Sequence, residues 1–139
     1  MNIYFACSIT GGREFEAVYQ ELIAALLADG HEVPTAHLAA SSIVELDGVV
    51  PANEVYERDV AWIKNSDALI AEVSVPSHGV GYEIGFALHE GKRVLCLSQQ
   101  GRKVSKMVSG NPDPHLIVKT YRDSQQAIEL VRDFVREIK

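Results

Sequence analysis

Apolar and polar positions along this chain follow two periods, and the switches between them mark out the elements. Residues 3–7 (Ile-Tyr-Phe-Ala-Cys) form an apolar run that stops at Ser8-Ile9-Thr10-Gly11-Gly12. That is the pattern of a buried strand ending in a glycine loop. Residues 15–27 then place Val18, Leu22, Ile23, Leu26 and Leu27 on one helical face, with Gly30 as a C-terminal stop. His31-Glu32-Val33-Pro34 reads as a brief second strand. Residues 35–52 show no clear period, which predicts a long functional loop. Asn53 is placed to cap a helix running to about residue 65, and residues 67–73 (Asp-Ala-Leu-Ile-Ala-Glu-Val) form a third strand. After the loop 74–79, Gly79 or Val80 opens a helix through His89 that Gly91 ends. Residues 93–97 are a fourth strand, 104–108 a short helix and 116–118 a fifth strand. Asp123 or Ser124 caps a final amphipathic helix carrying Ala127, Ile128, Leu130, Val131, Phe134, Val135 and Ile138.

Strands alternating with helices imply an α/β domain with a parallel sheet covered on both faces. The expected architecture is a flavodoxin-like (Rossmann-like) three-layer sandwich with five parallel strands. A length of 139 residues makes residues 1–139 one domain. Hydrophobic residues at 47% and charged residues at 23% fit a globular chain. The formal net charge of −6 argues against nucleic-acid polymers and anionic membranes as partners. A small anion would need a local arrangement of N–H, hydroxyl and basic groups. Cys7 and Cys96 lie inside strand-like apolar runs, with no C-x-x-C spacing, and read as buried thiols. No signal-peptide pattern or membrane-length apolar stretch occurs, so the expected compartment is the cytoplasm.

Ligands of open parallel sheets bind beyond the carboxyl ends of the strands. Two loops fall there, Ser8-Ile9-Thr10-Gly11-Gly12-Arg13 and Ser74-Val75-Pro76-Ser77-His78-Gly79-Val80-Gly81. Both combine glycine with hydroxyl residues and precede a helix, so backbone N–H groups can be aimed at an anion. Ordinary glycine and serine turns have the same composition. Neither loop matches the patterns for nucleoside triphosphates or dinucleotides. Glu83 lies in a first helical turn among the apolar Tyr82, Ile84 and Phe86, near a positive helix end. It can serve as a carboxylate nucleophile at an anomeric carbon, or simply as a solvated first-turn acid. Asp59 can supply a second carboxylate, or pair with Arg58 on an exposed helix.

Three segments in this order resemble the nucleoside 2-deoxyribosyltransferase superfamily. They are Tyr4 to Arg13, then Asp59-Val60-Ala61-Trp62, then Ala71 to Gly85 with its Pro-Ser-x-Gly-Val-Gly-Tyr-Glu core. Ser105-Lys106-Met107-Val108-Ser109-Gly110 is similar to a further motif of the 2'-deoxynucleoside 5'-phosphate N-hydrolase branch. The resemblance implies that Glu83 attacks C1' to form a glycosyl-enzyme, which water then hydrolyses. It implies that Asp59 positions the nucleophile or sugar and assists proton transfer, with Tyr4 close to both. Ser8, Thr10, Gly11, Gly12, Ser77 and Gly79 would face the 5'-phosphate. Ser105 and Met107 would complete the site of a neighbouring subunit, which implies a homodimer. No metal or organic cofactor is implied. The branch commonly has Arg where this chain has Thr10, so a bidentate phosphate donor is missing here. Arg13, Lys106 or His78 are candidate replacements. Transfer of the sugar to another base is the nearest alternative. A nucleotide-binding sensor without turnover, or a flavin-carrying electron carrier, stands further off.

Overall fold

The computed structural model describes residues 1–9, 14–40 and 43–139. Within these, four strands form one parallel sheet in the order β1-β2-β3-β4: β1 (Ile3–Ala6), β2 (Ala68–Glu72), β3 (Arg93–Gln99) and β4 (Leu116–Tyr121). The registers pair Tyr4 with Leu69, Leu69 with Val94 and Val94 with Leu116. Helices α1 (Glu16–Ala28), α2 (Ile43–Gly48), α3 (Ala52–Asn65), α4 (His78–His89), α5 (Lys106–Ser109) and α6 (Ser124–Ile138) complete the fold, with a short 3-10 turn at Ala36–Ala39.

Side chains alternate across a strand, and here the alternation sorts the core into two layers. Ile3, Phe5, Ala68, Ile70, Leu95 and Leu97 pack with α1 and α6. Tyr4, Ala6, Leu69, Ala71, Val94 and Cys96 pack instead with Ile63 of α3 and Val80, Ile84 and Ala87 of α4. Three layers result, as the alternation of elements predicts. Cys7 and Cys96 are both buried.

The expected fifth strand at residues 31–34 is reduced to one bridge between Asn2 and Glu32. Pairing begins there: the Ile3 N–H donates to the Glu32 carbonyl at 2.8 Å and the Glu32 N–H to the Met1 carbonyl at 2.9 Å. Pro34 then offers no N–H, and the Thr35 side chain takes over the β1 edge. Its Oγ1 accepts from the Phe5 N–H at 3.0 Å and donates to the Phe5 carbonyl at 2.8 Å. The sheet therefore has four strands, not five. Residues 35–52 also differ from the expected unstructured loop, holding the 3-10 turn and α2 among their described residues. Helix α3 starts after Pro51 rather than at an Asn53 cap, and α4 starts at His78. The last strand runs on to Tyr121 rather than stopping at residue 118. No helix among the described residues is long and apolar enough to cross a membrane.

Candidate active site

Tyr4 is the second residue of β1, and its side chain lies on the α3–α4 side of the sheet. Glu83 lies in the second turn of α4, where helical geometry turns it toward β1 while Val80, Ile84 and Ala87 face the core. The Tyr4 hydroxyl donates a hydrogen bond to Glu83 Oε2. Tyr4 is wholly buried. Burial, together with the nearby charges of Glu83 and Asp59, pushes its hydroxyl well above the ordinary tyrosine range, so it remains a donor.

Burial pushes the Glu83 carboxyl up to about 7, and the charge of Asp59 adds to the rise, while the Tyr4 hydrogen bond and Arg58 oppose it. Asp59, on α3, is raised by burial and held back by its partner Arg58. Arg58 Nε donates to Asp59 Oδ1 at 2.8 Å, and its terminal nitrogens reach Asp47 Oδ1 at 3.3 Å. Its guanidinium lies over the Trp62 ring at 4.9 Å, and His37 meets the same ring edge-on at 5.6 Å. Asp59 is thus paired with Arg58, but as a half-buried carboxylate rather than an exposed one, and its charge reaches Glu83. Asp47 and His37 were missed in the sequence because they lie in the stretch without a period, brought to Asp59 only by the fold.

The two carboxylate oxygens of Glu83 have different surroundings. Oε2 takes the Tyr4 hydroxyl, whereas Oε1 faces Gly79. A Cβ placed on Gly79 would sit 3.9 Å from both Glu83 Oε1 and Ser77 Oγ. The missing side chain therefore leaves a small space bordered by a carboxylate oxygen and a hydroxyl. Ser77 caps α4, its Oγ accepting from the Val80 N–H at 3.3 Å, so that space also adjoins a helix N-terminus. Ser8 is buried just beyond the end of β1, and parallel pairing sets that end beside the end of β2. Thr10, Gly11 and Gly12 lie outside the described residues, as does Arg13.

Ser105 and Met107 do not join this cluster. Ser105 caps the four-residue α5, accepting from the Met107 N–H at 3.2 Å, and Met107 is 84% exposed. Both line a largely apolar cleft of about 800 Å³ beside α4, with Ser77, Tyr82 and Gly85. Ser77 belongs to both regions. His78 and Lys106 line the cleft as well. Among the described residues no three His, Cys, Asp or Glu side chains are gathered as a metal would require.

The family model described as nucleoside 2-deoxyribosyltransferase matches residues 3–128. A protein of Methanosarcina mazei with the provisional name 2'-deoxynucleoside 5'-phosphate N-hydrolase 1 is 41% identical over 137 residues, covering 99% of this chain and 85% of the relative. A 5-hydroxymethyl-dUMP N-hydrolase of Esox lucius is 40% identical over 131 residues, covering 90% of each. Among solved structures, the CMP N-glycosidase BcmB of Clostridium botulinum aligns with a TM-score of 0.74 at 19% identity, covering 96% of this chain and 99% of that one. That last likeness concerns the fold.

Proposed function

Because the chain belongs to the nucleoside 2-deoxyribosyltransferase family, we propose that it hydrolyses the N-glycosidic bond of (2'-deoxy)nucleoside 5'-monophosphates. The products are the free base and (deoxy)ribose 5-phosphate. One observation carries the reading: Glu83 has one oxygen tied to Tyr4 and the other turned toward the space beside Gly79 and Ser77. A carboxylate held in this way presents a single oriented oxygen to an anomeric carbon.

In the proposed reaction Glu83 Oε1 attacks C1', the C1'–N bond breaks, and its electron pair leaves with the base, which takes up a proton. Asp59, whose carboxyl burial raises, is the group placed to assist that proton transfer. Water then attacks C1' of the glycosyl ester and gives its proton back to the group that protonated the base, which releases the sugar phosphate and restores the Glu83 carboxylate. Ser8, Ser77 and Gly79 hold the 5'-phosphate, with Thr10, Gly11 and Gly12 contributing from the loop after β1. Two copies of the chain assemble, and Ser105 and Met107 of one complete the site of the other. The names of the relatives at about 40% identity support a phosphorylated substrate. Rapid quenching followed by peptide mass analysis tests the chemistry. The peptide bearing Glu83 is expected to gain one deoxyribosyl phosphate during turnover. Turnover with no such adduct, and unaffected by Glu83→Ala, contradicts the assignment.

Base exchange on unphosphorylated deoxynucleosides is a second reading, favoured by Thr10 where the hydrolase branch commonly has Arg. A free acceptor base separates the two. Transfer yields a new nucleoside, whereas hydrolysis yields the same sugar phosphate with or without acceptor.

A further inference from the structure

We propose that Glu72 is a positioning residue that sets the loop after β2 in the shape needed to hold the substrate's 5'-phosphate. The inference rests on the reading that Ser8, Ser77 and Gly79 hold that phosphate. Glu72 ends β2, a strand of five wholly buried residues, the other four of which are apolar. A carboxylate with no exposure is costly to bury unless donors surround it. It is also separate from the Glu83 cluster. Strand alternation puts Glu72 on the side of Ala68 and Ile70, facing α1 and α6, while Tyr4 and Glu83 occupy the opposite side.

Three donors fill its oxygens. The Ser74 N–H donates to Oε1 at 2.6 Å, and the Ser74 and Tyr121 hydroxyls donate to Oε2 at 3.0 and 2.5 Å. Ser74 Oγ in turn accepts from the Gln99 N–H at 2.8 Å. Glu72 and Ser74 together therefore tie the ends of β2, β3 and β4. A carboxylate accepts from all three donors as they stand. A glutamine could accept from the Ser74 N–H, but its NH₂ would need the Ser74 and Tyr121 hydroxyls to turn and accept, which takes this acceptor away from their own protons.

Arg102, whose charge reaches Glu72, extends the linkage. It pairs with both oxygens of Glu14 at 2.7 and 3.2 Å, and its guanidinium lies over the Phe15 ring at 4.8 Å. Glu14 and Phe15 directly follow the loop after β1. Ser74 begins the segment that ends at Ser77, the cap of α4. A shift at Ser74 thus passes to Ser77 and the space beside Gly79. Glu72 thus holds the start of the loop after β2 through Ser74, while Arg102, whose charge reaches Glu72, holds Glu14 and Phe15.

The test compares the parent, Glu72→Gln and Tyr121→Phe. It measures kcat and KM for a deoxynucleoside 5'-monophosphate, calorimetric affinity for 2-deoxyribose 5-phosphate, and thermal unfolding. Glu72→Gln is expected to raise KM and weaken sugar-phosphate affinity roughly 10- to 100-fold, with kcat nearly unchanged. Tyr121→Phe is expected to move both in the same direction by less. If Glu72→Gln fails to fold, Tyr121→Phe and Ser74→Ala carry the comparison. Lower melting temperatures with unchanged KM and unchanged affinity would overturn the inference and leave Glu72 a purely structural group. A parent that turns over nucleosides without preferring the 5'-phosphate is a different outcome. It removes the phosphate reading itself, before any variant is compared, and the inference with it.

Discussion

As the proposed nucleophile, Glu83 would need burial to be oriented and ionisation to act, and these demands oppose each other. Burial holds its carboxyl near 7, above the ordinary value of 4.5. Base release should therefore rise with pH as this group ionises, with the acid limb of kcat/KM centred near 7. The same shift sets a stability trend. The folded state keeps a proton that the unfolded chain releases, so stability is lost as pH rises from about 4.5 through 7 and stays lost above. Replacing Glu83 by Gln removes that ionisation and keeps an acceptor for Tyr4. Thermal unfolding above pH 8 should shift upward by several degrees relative to the parent, and the difference should vanish near pH 5. Activity should fall on the order of 10³-fold or more. Gly79→Ala separates stability from chemistry in another way. The added Cβ would meet its neighbours at 3.9 Å, an ordinary contact, and alanine suits a helix better than glycine. The variant should melt no lower than the parent yet lose sugar-phosphate affinity, which calorimetry with 2-deoxyribose 5-phosphate reads directly.

At the scale of elements, the edge of β1 explains why the sheet stops at four strands. Thr35 Oγ1 both accepts from and donates to the Phe5 backbone inside the protein. Thr35→Val keeps the shape and leaves two buried backbone groups without a partner. It should cost about 1–3 kcal/mol in urea unfolding, with little change in the slope. Much of the layout was legible in the sequence, because apolar runs and helical periodicity both reflect burial, and burial is what the sheet and its two helical layers share. Less legible was residues 31–52, where a hydroxyl replaces a strand and short helices carry no period long enough to read. Glu83 and Tyr4 stood out in the sequence by their motif, and the fold adds the hydrogen bond between them. Nothing in the sequence singles out Glu72 within the strand at residues 67–73. Its three donors come from Ser74 and from Tyr121 on β4, so only the sheet topology makes its role visible.

At the scale of the whole molecule, one chain holds the carboxylate cluster, while Ser105 and Met107 stand apart on the rim of a cleft. If two copies complete each other's sites, variants damaged in different halves should rescue one another. Glu83→Ala and Ser105→Ala, each weak alone, should regain base release when mixed and allowed to exchange subunits, because one mixed site then carries both residues. A mixture no more active than the sum of its parts would place Ser105 in its own chain's site. The central claim is tested most directly by kcat/KM for a 2'-deoxynucleoside 5'-monophosphate and its matching nucleoside, measured side by side for the parent and Glu83→Ala. The account predicts base release from the monophosphate, far slower release from the nucleoside, and none with Glu83→Ala. Equal or faster reaction of the nucleoside, or a Glu83→Ala variant that still releases base, would contradict it.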